Sequence, residues 1–281
     1  MRINLVNLGL DEFFDRKSDI IYVLFSALTE LGHSTSISHN HIEGSALNII
    51  IGSDIICGEP DALNSLLNSG VDYAIFEVEN FNGTTINYRK NFDLSGYITL
   101  IEKSKFCFTP YLYNMPQLGN IIGSDNVAYT KWGFHNSMIC NRIDRNGDYL
   151  FETFFYGLIK ATRVAKIDAL KNKFGKQFAV IDQTHPFTIR DYYISKSKVG
   201  LSLSYGGIDN FVNPFRLYHM VANGMAVLSD HSEDADGYLH LCNNFEFDAM
   251  VEQIEAFQPD EHLLSDICRS ENLVKNLRVC F

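Results

Sequence analysis

Short β-rich apolar runs alternate along this chain with segments of helical period, and the alternation runs twice. In the first half, "RINLVNLG" reads as a strand and "DIIYVLFSALTELGHS" as an amphipathic helix stopped at Gly32. "ALNIIIGS" reads as a strand, "EPDALNSLLNSG" as a helix ending at Gly70, and "DYAIFEVEN" as a strand. "SGYITLIEKS" then predicts a helix, "KFCFTP" a strand and "MPQLGNIIG" a short helix, and "NVAYTKWGFH" closes the half. The second half repeats the grammar. "DYLFETFFYG" is strand-like, "KATRVAKIDALKNKFG" has clear 3.6 periodicity, and "KQFAVIDQ" is another strand. "TIRDYYISKS" predicts a helix, "KVGLSLSY" a strand, "NPFRLYHMVANG" a helix and "GMAVLSD" a strand, with two C-terminal helices after it.

Strands alternating with helices predict α/β layers around parallel sheets. The polar, turn-rich join "NSMICNRIDRNGD" (136–148) marks a boundary between two domains, 1–140 and 146–262. Residues 263–281 are expected to form a helix that packs back on the first domain. Two successive open parallel sheets imply a ligand cleft between them, with the crossing "VAYTKWGFHNSM" and Trp132 as its hinge. Two polar stretches are read as plain connections. "GHSTSISHNH" offers His33, His39 and His41 without the Cys or Asp that a metal set needs, and "EDADG" (233–237) is a turn that mimics a D-x-D metal motif.

Composition narrows the class. With 46% apolar and 20% charged residues over 281 positions, the chain is an ordinary globular protein long enough for two cores. A net charge of −11 leaves no basic stripe for nucleic acid, although a small anion needs only one or two local cations and a helix N-terminus. No apolar run approaches the ~20 residues of a membrane span. The opening segment reads as a first strand instead of a signal peptide, and the tail "CRSENLVKNLRVC" allows peripheral membrane contact at most. Six scattered cysteines without C-x-x-C spacing read as reduced thiols of a cytoplasmic protein. There is no P-loop, G-x-G-x-x-G, G-x-S-x-G or H-E-x-x-H.

Glu77 and Glu79, in "FEVEN" at a strand end, share a face by period two, at the edge where open parallel sheets hold ligands. One of them orients an acceptor or acts as general base; solvent-facing carboxylates are the plain alternative.

Three blocks of the second half, "YLFETFFYGLIKATRVAKIDALKNKFG", "IRDYYISKSKVGLSLSYGG" and "NPFRLYHMVANGMAVLSD", resemble the nucleotide-sugar-binding domain of GT-B glycosyltransferases, nearest to retaining bacterial families. In the first half "DYAIFEVENF" and "VAYTKWGFH" are similar to weaker patterns of those enzymes. The resemblance implies two Rossmann-like domains facing across a cleft, a nucleotide-sugar donor, a glycan or lipid-linked acceptor in cell-surface polysaccharide or glycoconjugate synthesis, and no metal or other cofactor. On that pattern Gly157, Lys160, Thr162, Arg163, Ser204, Tyr205, Asn213, Pro214, Phe215 and His219 bind the donor, and Glu79, Asp209 and Arg216 are catalytic.

The chemistry fits those residue types. Gly157 precedes a helix carrying Lys160, Thr162 and Arg163, a strand-to-helix anion site. Arg216 on a first helical turn offers a bidentate fork, and Asn213 stands as N-cap. Each has an ordinary alternative: a surface ion pair for Arg216, a packed histidine for His219, a solvated helix face for Lys160 and Arg163. The sequence departs from the family where two glutamates eight apart are expected, since Phe211 and His219 stand there and Asp209 is the nearest acid. A non-catalytic nucleotide-sugar-binding subunit and a GT-B-fold epimerase are therefore the competing expectations.

Overall fold

The computed structural model describes residues 1–8, 11–86, 93–145, 147–159, 162–182, 187–204, 211–231, 234–257, 261–278 and 280–281, with backbone alone for 11–16, 187 and 261–265. The chain divides into two compact units, Met1–Trp132 with Leu273–Phe281, and Gly133–Asn272.

The first unit contains β1 (Arg2–Asn7), α1 (Asp11–Glu30), β2 (Ser34–His39), β3 (Leu47–Ile51), the short α2 (Ser53–Ile56), α3 (Pro60–Asn68) and β4 (Tyr73–Phe76). It continues through α4 (Leu94–Glu102), β5 (Cys107–Thr109), α5 (Asn114–Ile122) and β6 (Val127–Tyr129). Its six strands form a sheet in the order β2-β1-β3-β4-β5-β6, and every neighbouring pair is parallel. Central strands such as β3 are buried on both faces, which explains the unbroken run Ile49–Ile50–Ile51.

One stretch read as a loop is a strand. "STSISH" forms β2 at the sheet edge, half-buried and polar, because its serines meet another polar layer. Asn4, fully buried on β1, accepts from Ser36 Oγ at 3.2 Å and Ser38 Oγ at 2.7 Å and donates to Asn48 Oδ1 at 3.0 Å. A buried amide needs such partners, and these hold β2, β1 and β3 in register.

The second unit contains β7 (Phe151–Tyr156), α6 (Thr162–Phe174), β8 (Phe178–Ile181), α7 (Phe187–Lys196), β9 (Ser197–Ser202), α8 (Pro214–Ala222), β10 (Val227–Ser229), β11 (Asn243–Asn244), α9 (Phe247–Ala256) and α10 (Glu261–Ser270). Its sheet runs β11-β10-β9-β7-β8, again all parallel. Phe155, Leu201, Leu203 and Leu228 pack in its core against Ile167 and Leu170 of α6 and Met250 and Ile254 of α9.

The sequence predicts two C-terminal helices; among the described residues three follow β10, the last being α11 (Leu273–Leu277). Residues 263–281 are not one helix: a break at Glu271–Asn272 separates α10, in the second unit, from α11, in the first. Leu273 and Leu277 are fully buried, and Phe281 packs edge-on against Phe106 and Phe108. Trp132 closes the first stretch of that unit, buried against Phe76.

Among the described residues, no helix is long and apolar enough to cross a membrane. All six cysteines are free thiols.

Candidate functional site

In each sheet the first strand of the unit has its successors on opposite sides, which creates a topological switch point where parallel sheets receive ligands at their carboxyl ends. In the second unit that point lies between β7 and β9. Tyr156 ends one strand there and Gly157 follows it; Leu203 and Ser204 follow the other.

Arg216 is delivered to this edge by α8. Asn213 caps the helix, its side-chain oxygen accepting the Arg216 N–H at 3.0 Å, and Pro214 takes the first helical position, where no N–H is needed. Arg216 lies over the rings of Phe155 and Tyr156, with its guanidinium carbon 5.4 and 5.3 Å from their centroids. Tyr156 OH also donates to the Arg216 carbonyl at 3.3 Å. Gly157 makes room for this arrangement. Its φ of 138° disfavours a side chain, and a Cβ there would come within 2.8 Å of Arg216 Cζ. The helix ends on Asn223 and Gly224 (φ 77°), where Met225 N–H reaches back to Met220 O at 3.0 Å, closing a Schellman turn.

Arg163 has a different place from Arg216. It is buried at 8% exposure, and its Nε and Nη2 donate to Leu203 O at 3.0 and 2.7 Å while Nη1 donates to Leu158 O at 3.1 Å. It ties the loop after β7 to the end of β9 across the switch point. Ser204 is buried too, bonded through its hydroxyl to Lys166 Nζ at 2.5 Å and through its N–H to Asp230 Oδ1 at 2.6 Å. Lys166 completes an ion pair with Asp230 at 2.5 Å. Thr162 opens α6, and Phe215 stands half-buried beside Arg216 in α8. Lys160, Tyr205 and Asp209 lie outside the described residues.

His219 lies farther along the helix than Arg216. It sits in the last turn of α8, with Nε2 3.5 Å from Asp191 Oδ1. Asp191 is a buried hub that also receives Arg190 at 3.1 Å, Arg142 at 3.0 Å and the Cys140 thiol at 3.2 Å. Burial alone would push its carboxyl up; His219, Arg190 and Cys140 outweigh that and hold it well below the usual carboxylate range. Arg190 lies over the Tyr156 ring at 5.8 Å, so the hub adjoins the ring under Arg216.

The two glutamates of the first unit do not share a strand face, because β4 ends at Phe76 and both follow it. Glu77 turns inward, fully buried, and accepts from Ser53 Oγ at 2.5 Å, Tyr97 OH at 2.7 Å and the Glu79 N–H at 2.9 Å. Burial and the nearby Asp54 push its carboxyl up to about 7, against the pull of those three donors. Glu79 stays partly at the surface, with 26% of its side chain exposed, and pairs with Lys17 Nζ at 3.0 Å. Lys17, Asp54, Ser53 and Tyr97 were not singled out from the sequence. Nothing local marks them, since their partners lie 20 to 62 positions away.

His39 and His41 stand at and just beyond the end of β2, and no group of three or more His, Cys, Asp or Glu among the described residues could hold a metal ion. Asp234 in the "EDADG" stretch accepts the N–H groups of Tyr238 and Leu239, the work of an ordinary turn.

No protein family matches the chain in sequence, and no curated protein does either. Solved structures do match in shape. An alpha-glucosyltransferase solved with UDP and a 13-mer DNA is alike over 95% of this chain and 92% of its own, with a TM-score of 0.61 at 10% identity. AviGT4, a glycosyltransferase involved in avilamycin A biosynthesis, is alike over 100% and 96%, with a TM-score of 0.54 at 9% identity. A UDP-N-acetylglucosamine 2-epimerase is alike over 95% and 90%, with a TM-score of 0.53 at 9% identity. Two parallel-stranded Rossmann-like units in this order, alike along their whole length to such enzymes, give the chain a GT-B glycosyltransferase-like fold.

Proposed function

We propose that the chain is a metal-independent glycosyltransferase that moves a sugar from a nucleotide-activated donor to a hydroxyl of a glycan or lipid-linked acceptor. One observation carries the reading: Arg216 is seated on Gly157 at the switch point of the second sheet, on the first turn of a capped helix. A guanidinium fork beside the N–H groups of a helix start suits a phosphate-bearing donor. In this reading the bond from the anomeric carbon to the phosphate oxygen breaks, its electron pair goes to the phosphate, and Arg216 stabilises the charge that develops there. The acceptor oxygen bonds to the anomeric carbon, and Glu79 of the first unit takes its proton. Arg163 and the Asp191 hub act as positioning groups. Structures of like fold were solved with UDP, which makes UDP the first nucleotide to test.

Calorimetry with UDP, alongside turnover of UDP-sugars with and without sugar acceptors, tests the proposal. Wild type is expected to bind UDP and release it from a donor, and Arg216→Ala to lose both while melting at the same temperature. Equal turnover by the two proteins would rule out the site. Binding without turnover would point to a non-catalytic subunit, and conversion of the donor alone to an epimer would point to an epimerase.

A further inference from the structure

The first unit has a switch point of its own, between β1 and β3, and a charged cluster lies on the β3 side of it. Gly52 follows β3 at the N-cap position of α2 with φ 90°, and the stem of Lys17 from α1 lies against it; a Cβ at Gly52 would stand 3.2 Å from Lys17 Cδ. The amine is thereby led under the sheet edge, where only 9% of the side chain is exposed. It sits 3.0 Å from Asp54 Oδ1 and 3.0 Å from Glu79 Oε1. Asp54 is fixed in turn by α2, a single turn whose four residues are all buried.

A buried lysine is costly unless it is paired, and a hydrophobic residue would pack there at least as well. Asp54 alone would neutralise it. The second partner, Glu79, is the carboxylate that reaches the surface, and its backbone is pinned from two more sides. Its N–H donates to Glu77 Oε1 at 2.9 Å, and its carbonyl accepts from Asn114 Nδ2 at 2.8 Å.

We infer that Lys17 is a positioning residue: clamped by Asp54, it fixes the Glu79 carboxylate at the carboxyl edge of the first sheet so that Glu79 receives the hydroxyl hydrogen of the acceptor. This rests on the transferase reading above. Lys17 touches neither donor nor acceptor, and its work is to hold one carboxylate oxygen in place. A group held this way gains rate through orientation, and a misplacement of about 1 Å costs on the order of 100-fold.

The test uses the full chain with a panel of UDP-sugars, water or an added sugar being the acceptor. Lys17→Met removes the charge and keeps the length of the side chain. Asp54→Asn keeps the buried shape and releases the lysine on one side, which covers the case where the first variant fails to fold. Both are expected to lower kcat roughly 10- to 100-fold while KM for the donor and the calorimetric affinity for UDP stay within about twofold of wild type. A merely structural role would lower the melting temperature without that split. If Asp54→Asn folds, binds UDP and keeps wild-type kcat, the inference is overturned and the transferase reading stands. If wild type binds UDP and turns over no donor, the inference falls as well, since Glu79 then has no reaction to serve. If wild type does not bind UDP, the transferase reading itself fails first.

Discussion

Arg216 occupies the space that a side chain on Gly157 would need: a Cβ at 157 would lie 2.8 Å from the guanidinium carbon. The loop after β7 and the start of α8 are thus fitted to each other, although 59 positions separate them in sequence. Gly157→Ala is expected to displace Arg216 and to strain a backbone at φ 138°, a cost of about 1–3 kcal/mol. UDP affinity should fall at least tenfold by calorimetry. Gly224→Ala is the control. Its φ of 77° carries similar strain, but its nearest neighbour, Arg145 Cδ, is 3.7 Å away, so stability should drop while UDP affinity holds.

The two arginines of the second switch point should separate in a urea titration. Arg163 is buried and bonded to two backbone carbonyls, so Arg163→Met leaves those acceptors unsatisfied and should cost about 3 kcal/mol. Arg216→Met is expected within about 1 kcal/mol of wild type, and its loss should appear in UDP binding instead.

Glu77 should make stability depend on pH near neutrality. Its carboxyl is raised from 4.5 to about 7 in the fold, so between those values the folded chain keeps a proton that the unfolded chain has released. The contribution is whole below pH 4.5 and is lost as pH rises through about 7, by at most about 3 kcal/mol. Melting temperatures of wild type should fall across that window, and those of Glu77→Gln should stay flatter. Parallel curves would show that Glu77 does not titrate there.

Asp191 works in the opposite sense. Its carboxyl is held below the ordinary 3.8, so its contribution is present above that pH and lost as acid approaches the lowered value. Asp191→Asn should therefore destabilise most at neutral pH, by roughly 3 kcal/mol for a broken buried ion pair, and the gap from wild type should narrow on acidification below pH 3.8.

What could be read from the chain beforehand was whatever has a local cause. The helix at Pro214 was legible because its cap and first turn are neighbours, Asn213 bonding three positions on. The parallel sheets were legible because runs such as Ile49–Ile50–Ile51 put apolar side chains on both faces of a strand. Strand β2 was not, because its serines gain their bonds from Asn4, more than thirty positions away. The same distance hid the clusters. Nothing near Lys17 announces Asp54, and nothing near Asp191 announces Cys140 or His219. The setting of His219 was hidden in the same way, since it falls in the last turn of a nine-residue helix and faces Asp191, 28 positions back.

The division of the chain also bears on the order in which it is made. Gly133–Asn272 is a continuous segment that closes on itself: Phe134, near its beginning, bridges to Asn272 at its end. The first unit is discontinuous and still lacks α11 and the aromatic contacts of Phe281 when its own sheet has been synthesised. On a ribosome moving from the amino end, the sheet made first is therefore completed last. The buried faces that Leu273 and Leu277 will cover must wait, uncovered, through the synthesis of the whole second unit.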